Sequence, residues 1–164
     1  MTQAETNALG EIKVELGRRY RFSASHRLHS AQLSEAENCR VFGKCNNPYG
    51  HGHNYTVEIK VSGDVDQSTG MIANLADLDA FVDREILVPF DHRYLNEEVA
   101  VFQRMVPTTE NLCIEIFGRL RKFPHAKLER VRVEETSNNS FEYAGKDVTE
   151  ISDDLAFNSE GKRL

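Results

Sequence analysis

Two long segments of alternating apolar residues restrict the fold of this chain more than any other feature. In the first, apolar side chains alternate at Ile12, Val14 and Leu16 and, after a bend predicted at Gly17, at Tyr20, Phe22 and Ala24, and the same face continues to His26. A period of two indicates strands with one buried face. The second segment, which ends near residue 63, carries the same pattern at Tyr55, Val57, Ile59 and Val61.

Helical periodicity predicts two main helices in the middle of the chain. Residues 75–88 carry an apolar stripe at helical spacing, with Asn74 as N-cap and Pro89 as the end of the helix. Residues 109–122 carry a second stripe, and Thr108 is the residue that caps it.

Two shorter patterns come before and after the second predicted strand in the sequence. Ser34 and Glu37 form a capping-box pattern for a short helix that extends to Phe42 and stops at Gly43. Asp66 to Gly70 predicts a hairpin loop, and Met71 begins the return.

The order of elements predicts an α+β fold. Residues 131–135 alternate as a third strand, and a turn at residues 138–139 leads into a strand at 141–143. Strand pair, helices and strand pair together indicate a four-stranded antiparallel sheet with two helices on one face. We expect a single domain over 1–164, with a core over about 12–144 and polar tails. An oligomer that closes the sheet into a barrel would remove its open edges.

The composition is that of a soluble globular protein. The 164 residues are 40% hydrophobic and 28% charged, and no apolar run approaches the about 20 residues that a membrane helix needs. A net charge of −6 without a block of lysine and arginine argues against nucleic-acid binding. Three cysteines without a CxxC pair argue against a disulfide framework. The polar N-terminus predicts a cytoplasmic location.

Three histidines share the buried parity of the two predicted strands. His51 and His53 lie two residues apart, on the face that continues into Tyr55, and His26 ends the matching face of the first strand. If the strands pair, the three imidazoles converge. Three imidazoles without a clear fourth ligand indicate a catalytic zinc site with an open position. The alternative is that histidines close to a turn are polar surface groups.

Several other side chains could take part in proton transfer. Cys45 can be a fourth metal ligand, a reactive thiol or a small buried residue. Cys39 and Cys113 are interpreted as packing residues. Asp91 and His92 can form a carboxylate–imidazole pair that acts as a base, or an ordinary surface pair on a loop.

Glu135 has the parity of an inward-facing strand residue. It follows Val131 and Val133 on the same face, where a carboxylate is costly to bury unless it has a partner. A bound ligand with two N–H donors would be such a partner. The alternative is a solvated strand end, and Glu134, of opposite parity, is predicted to face solvent.

Six segments resemble, in the same order, the 6-pyruvoyltetrahydropterin synthase family. The block FGKCNNPYGHGHNY at 42–55 is the most specific of them and extends far beyond a bare His-x-His motif. The similarity covers about residues 18–144. The other segments are RFSASHRL, TGMIANLADL, FDHRYLN, PTTEN and VEETSNN.

The resemblance implies the tunnelling fold, in which trimers join their sheets into a barrel and two trimers stack into a hexamer. It implies zinc as the cofactor and 7,8-dihydroneopterin triphosphate as the substrate, converted to 6-pyruvoyltetrahydropterin with elimination of triphosphate. For the site it implies His26, His51 and His53 as zinc ligands, Cys45, Asp91 and His92 as proton-transfer groups, and Glu135, Thr108 and Thr109 around the pterin ring.

Two other functions remain open at the level of sequence. A similar enzyme, 6-carboxytetrahydropterin synthase of queuosine biosynthesis, releases acetaldehyde as well as triphosphate, and its members often have a shorter spacing between the cysteine and the HGH motif. The longer spacing from Cys45 to His51 favours the pyruvoyl product. A non-catalytic module that binds zinc or pterin would not need the groups predicted for proton transfer.

Overall fold

A computed structural model describes residues 13–145, which form one five-stranded sheet and the helices packed on it. The predicted strand residue Ile12 lies outside this range. The sheet has the strand order β3-β1-β2-β4-β5. The elements are β1 (Lys13–His26), α1 (Glu35–Phe42), β2 (His51–Asp64), α2 (Leu75–Val82), α3 (Val88–Phe90), β3 (Arg93–Tyr94), α4 (Leu95–Glu98), α5 (Thr109–Leu120), β4 (Lys127–Thr136) and β5 (Asn139–Tyr143).

The first two strands pair along their whole length. Antiparallel pairing of β1 with β2 continues from Lys13 opposite Asp64 to His26 opposite His51, without a register shift at Gly17 or elsewhere. The four predicted antiparallel strands are all present. The two-residue strand β3 was not predicted; it pairs parallel to β1 and makes the sheet mixed.

One face of the sheet carries the core, as the alternation predicts. The buried positions are even-numbered on β1 and, apart from Ser62 and Leu128 near a register shift, odd-numbered on β2 and β4, because successive side chains of a strand point to opposite faces. Helices α2 and α5 contribute their apolar stripes to the same cluster, which confirms the α+β prediction with both helices on one face. Fully buried members include Tyr55, Val57, Ile59, Leu78, Val82, Leu112, Ile116, Val131 and Val133.

The helix that was predicted to stop at Pro89 continues through it. A π-helical segment, Asp83–Leu87, links α2 to α3, which ends at Phe90. Pro89 has no N–H to donate to the preceding turn. The carbonyl of Glu85, four residues earlier, instead accepts a hydrogen bond from Nη1 of Arg119 at 3.3 Å.

The capping predictions are confirmed, and two turns differ. Side chains of Ser34, Asn74 and Thr108 cap α1, α2 and α5. Residues 67–69 form the predicted turn, but no strand follows at Met71. The last turn lies at residues 137–138, one residue earlier than predicted. No helix within residues 13–145 has the length and apolarity needed to cross a membrane.

Candidate metal and ligand site

Three imidazoles converge where β1 ends and β2 begins. His26 is opposite His51 in the strand register, and His53 lies two residues further along the same face of β2. Each ring offers a nitrogen, and these nitrogens lie within 4.8 Å of one another. His26 is almost fully buried, whereas His51 and His53 are partly exposed. The predicted convergence of the three side chains is therefore present.

The surroundings of His26 fix which nitrogen is available. Its Nδ1 lies 2.8 Å from the carbonyl oxygen of Pro107, which can only accept, so Nδ1 carries the proton and donates. The hydroxyl of Tyr55 lies 3.4 Å from the same nitrogen. The lone pair of Nε2 consequently faces the other two histidines, in the arrangement that metal-binding histidines adopt.

The donor set suits a divalent cation such as zinc. Nε2 of His26 lies 3.3 Å from Nε2 of His51. That spacing is close to the roughly 3.3–3.4 Å between two nitrogens that each lie about 2.0–2.1 Å from a tetrahedral zinc. Among the described residues, Nδ1 of His51 and Nε2 of His53 are buried without a hydrogen-bond partner. Burial lowers the pKa of His26 and of His53, which keeps their rings neutral and able to coordinate.

Glu135 lies beside the histidines, on the inward face that its parity predicted. Its Oε1 is 3.7 Å from Nε2 of both His26 and His53, which is beyond hydrogen-bond distance. The hydroxyl of Thr109 donates to Oε1 at 2.8 Å, and Nδ2 of Asn139 donates to Oε2 at 3.3 Å. Glu135 sits at a register shift between β4 and β5, and such bulges re-aim side chains.

Cys45 lies in a short 3₁₀ turn, Gly43–Asn46, and is partly buried. Among the described residues the metal-binding group consists of the three histidines, without the Cys45 thiol. Burial raises the pKa of Cys45, and the nearby charge of Glu135 raises it further. The interpretation of Cys39 as a packing residue is wrong, because Cys39 is exposed; Cys113 is buried as predicted.

Asp91 and His92 form the predicted pair, but at the outer edge of the sheet. Nδ1 of His92 lies 2.9 Å from Oδ2 of Asp91, whose Oδ1 accepts the backbone N–H of Ser23 at 2.8 Å. These contacts lower the pKa of Asp91, with the Ser23 N–H as the largest cause. The His92 side chain is 81% exposed and borders an open groove next to β1, which His53 also lines.

Some neighbours of the site were not predicted. The hydroxyl of Thr108 caps α5 by accepting from the N–H of Asn111 at 3.3 Å, so it is engaged in the cap, while its neighbour Thr109 contacts Glu135. No sequence pattern predicted that the Pro107 carbonyl would contact His26 or that the Asn139 amide would contact Glu135. Both belong to segments, PTTEN and VEETSNN, that the family resemblance had picked out.

Fold and site together define an α+β protein with a three-histidine group that could hold a metal, next to a carboxylate. A family model described as 6-pyruvoyl tetrahydropterin synthase matches residues 15–146. The chain belongs to this family.

Known proteins agree with this membership. The human protein named 6-pyruvoyl tetrahydrobiopterin synthase is 47% identical over 135 residues, which cover 82% of this chain and 93% of the human one. A solved structure of 6-pyruvoyl tetrahydropterin synthase from Caenorhabditis elegans is 43% identical, with a TM-score of 0.78 and coverage of 82% of this chain and 96% of that one. A 6-carboxy-5,6,7,8-tetrahydropterin synthase from Haemophilus influenzae is 29% identical over 121 residues, 62% of this chain and 84% of that protein.

Proposed function

We propose that this chain is a zinc-dependent lyase that converts 7,8-dihydroneopterin triphosphate to 6-pyruvoyltetrahydropterin with elimination of triphosphate. Membership of the family and the names of the similar proteins support the reaction. The observation that carries the proposal is the placement of a carboxylate, Glu135, beside His26 and His53, because adjacent side chains then offer both a metal site and an anchor for a heterocycle.

His26, His51 and His53 would hold the zinc ion. Bound zinc would supply Lewis acidity toward the hydroxyl groups of the substrate side chain. The protein's contribution is a fixed geometry: two of the ligands come from one strand, and the third comes from its paired neighbour. The Pro107 carbonyl orients His26 by accepting from its Nδ1.

Glu135 would bind the pterin ring by accepting hydrogen bonds from two of its N–H groups. Thr109 and Asn139 each donate to one carboxylate oxygen, which orients the group. A carboxylate oxygen accepts more than one hydrogen bond, so both oxygens can still accept from a ligand. Thr108 and Thr109 would line the same pocket at the start of α5.

Cys45, Asp91 and His92 would move protons between the side chain and the ring of the substrate. The support for Cys45 is the family resemblance and its place in the short turn that the segment after His26 holds through the Leu28 N–H. For His92, the support is the contact of its Nδ1 with Oδ2 of Asp91 at 2.9 Å, which orients the imidazole. Because His92 is exposed at the edge of the sheet, it would act in the site of a neighbouring subunit.

An assembly of several copies would fit this arrangement. The outermost strands of the described sheet are β3 and β5, and the sheet edges are open to pairing with another copy. We propose a homohexamer built as a dimer of trimers, as the family resemblance implies. Light scattering coupled to size-exclusion chromatography tests it, and a monomer at micromolar concentration would contradict it.

The second candidate is the carboxy-type reaction on the same substrate, which the similarity to the Haemophilus influenzae protein supports. Zinc-loaded protein would be mixed with 7,8-dihydroneopterin triphosphate, and the products identified by mass spectrometry. We expect a 6-pyruvoyl product and no acetaldehyde. A 6-carboxy product with acetaldehyde would establish the second candidate, and zinc binding without turnover would indicate a non-catalytic binding module. The Cys45→Ala variant should lose turnover and keep zinc.

A further inference from the structure

Asn46, the residue that follows Cys45, accepts three hydrogen bonds from the side chains of Arg27 and His29. Asn46 is buried, and its Oδ1 accepts from Nη2 of Arg27 at 3.3 Å and from Nδ1 of His29 at 2.9 Å. Its backbone carbonyl accepts from Nε of Arg27 at 3.1 Å. Two nitrogens of the Arg27 guanidinium therefore donate to Asn46, in a forked geometry that lysine cannot reproduce.

The same segment of chain also holds Cys45 itself. The backbone N–H of Leu28 donates to the carbonyl of Cys45 at 2.8 Å. Asn96 of α4 fixes the backbone of Arg27 from the other side, because its Oδ1 accepts from the Arg27 N–H at 2.8 Å and its Nδ2 donates to the Arg27 carbonyl at 2.9 Å. Residues 27–29 directly follow His26, so the thiol and the histidine cluster share one rigid connection.

These contacts fix the position of the 3₁₀ turn at Gly43–Asn46. A turn of four residues has little stability of its own, since 3₁₀ hydrogen bonds are poorly aligned. Its position then depends on the tertiary bonds that Arg27, Leu28 and His29 make to it. Without them, the turn that carries Cys45 would lose its connection to the residues that follow His26.

We infer that Arg27 and Asn46 are positioning residues that tie the turn carrying the Cys45 thiol to the segment that follows His26, and that Arg27 is not a ligand of the substrate's phosphate groups. This rests on the proposed role of Cys45 in the lyase reaction. Arg27 directly follows the proposed metal ligand His26, so a cation that binds the substrate's phosphate groups could be expected at this position. Its guanidinium donates to Asn46 instead. Positioning and phosphate binding predict different kinetics.

The test uses the full-length, zinc-loaded protein with Arg27→Met, which keeps the aliphatic stem and removes the fork. We expect kcat to fall by about ten-fold or more with KM nearly unchanged, because a displaced catalytic group affects the chemical step and leaves ground-state binding intact. We also expect alkylation of Cys45 by iodoacetamide, followed by peptide mass spectrometry, to change by about three-fold or more, since the reactivity of a thiol follows its exposure and surroundings. Arg27→Lys keeps the charge and should behave like Arg27→Met.

Lys44→Met is the matched control for alkylation, because it removes a cation next to Cys45 without touching the contacts of Asn46. It should change the alkylation rate of Cys45 less than Arg27→Met does, because the turn keeps its position. Zinc content and melting temperature show that each variant is folded. A rise in KM with normal kcat and normal Cys45 alkylation, rescued by Arg27→Lys, would make Arg27 a phosphate ligand and overturn the inference. If wild-type protein shows no turnover, the lyase assignment fails, and unchanged alkylation in Arg27→Met would separately refute the positioning role.

Discussion

Glu135 illustrates how one strand position combines two environments. Its oxygens receive hydrogen bonds from Thr109 and Asn139, while Oε1 faces the ring nitrogens of His26 and His53 without bonding to them. The carboxylate therefore has protein donors on its sides and unused acceptor capacity. Such a group can recognise a ligand that presents two N–H donors, because charge-assisted hydrogen bonds are stronger than neutral ones.

Replacing Glu135 by Gln should weaken pterin binding about 10- to 100-fold, because a hydrogen bond to a charged group contributes about 1.5–3 kcal/mol. The dissociation constant would be measured by fluorescence titration with a pterin. Glu134→Gln is the matched control, since Glu134 belongs to the opposite parity and pairs with Arg132 at 3.2 Å. Equal losses in both variants, or loss of bound zinc in Glu135→Gln, would contradict the anchor role.

At the scale of single residues, strand parity predicted which side chains lie on the inward face of the sheet, but not the groups that form hydrogen bonds with them. Parity alone brought His26, His51 and His53 together, because a period of two fixes the face of every residue once a strand is known. It could not reveal the Pro107 carbonyl or the Asn139 amide, since neither backbone carbonyls nor residues beyond a bulge follow a side-chain pattern. The prediction for Cys39 was wrong because cysteine is usually buried, whereas this one is exposed.

Among the elements, the long helical region between residues 75 and 90 departs most from its prediction. The buried residues Leu78, Val82, Ile86 and Phe90 recur every four positions, which exceeds the 3.6 residues of an α-turn. Replacing part of the helix by wider π-turns keeps this four-residue repeat on one face. Proline leaves the carbonyl four residues earlier without its usual donor, and here Arg119 donates to that carbonyl.

Arg119→Met should lower the free energy of unfolding by about 1–3 kcal/mol, because it leaves the Glu85 carbonyl without its donor. Urea titration followed by circular dichroism measures the change. Arg84→Met is the control: Arg84 also stacks on a phenylalanine and pairs with a glutamate, but on the surface. Its loss should stay below about 1 kcal/mol. Similar losses in the two variants would mean that the carbonyl contact is unimportant.

The turn after β2 should give the protein an acid-sensitive component of stability. Hydroxyl and backbone donors of Ser68 and Thr69 lower the pKa of Asp66 to about 2, with the Ser68 hydroxyl as the largest cause. A carboxyl group with a lowered folded pKa stabilises the fold above its unfolded value of about 3.9, and the effect is lost as pH falls toward 2. Melting temperatures of wild type and Asp66→Asn should therefore differ at pH 5 and converge near pH 2. A constant difference would refute this origin.

For the molecule as a whole, the proposed metal would link the two longest strands of the sheet, β1 and β2. His26 ends β1, and His51 and His53 begin β2, so one ion would bridge the end of the longest strand pair. The order of elements in the sequence was sufficient to predict the sheet, since long alternation and helical stripes are non-overlapping signals. The two-residue strand β3 escaped prediction because two residues carry no period, and its pairing depends on where the preceding helix ends.

Zinc should accordingly stabilise the entire fold. With free zinc at about 100 times its dissociation constant, linkage predicts about 2.7 kcal/mol, or roughly 5–10 °C in melting temperature for a chain of this size. Differential scanning fluorimetry of EDTA-treated protein, with and without added zinc at one protein concentration, measures the shift. His51→Ala should abolish it, because it removes one of three ligands, while His125→Ala, which replaces a histidine outside the cluster, should retain it. A shift that persists in His51→Ala would place the stabilising zinc elsewhere on the protein.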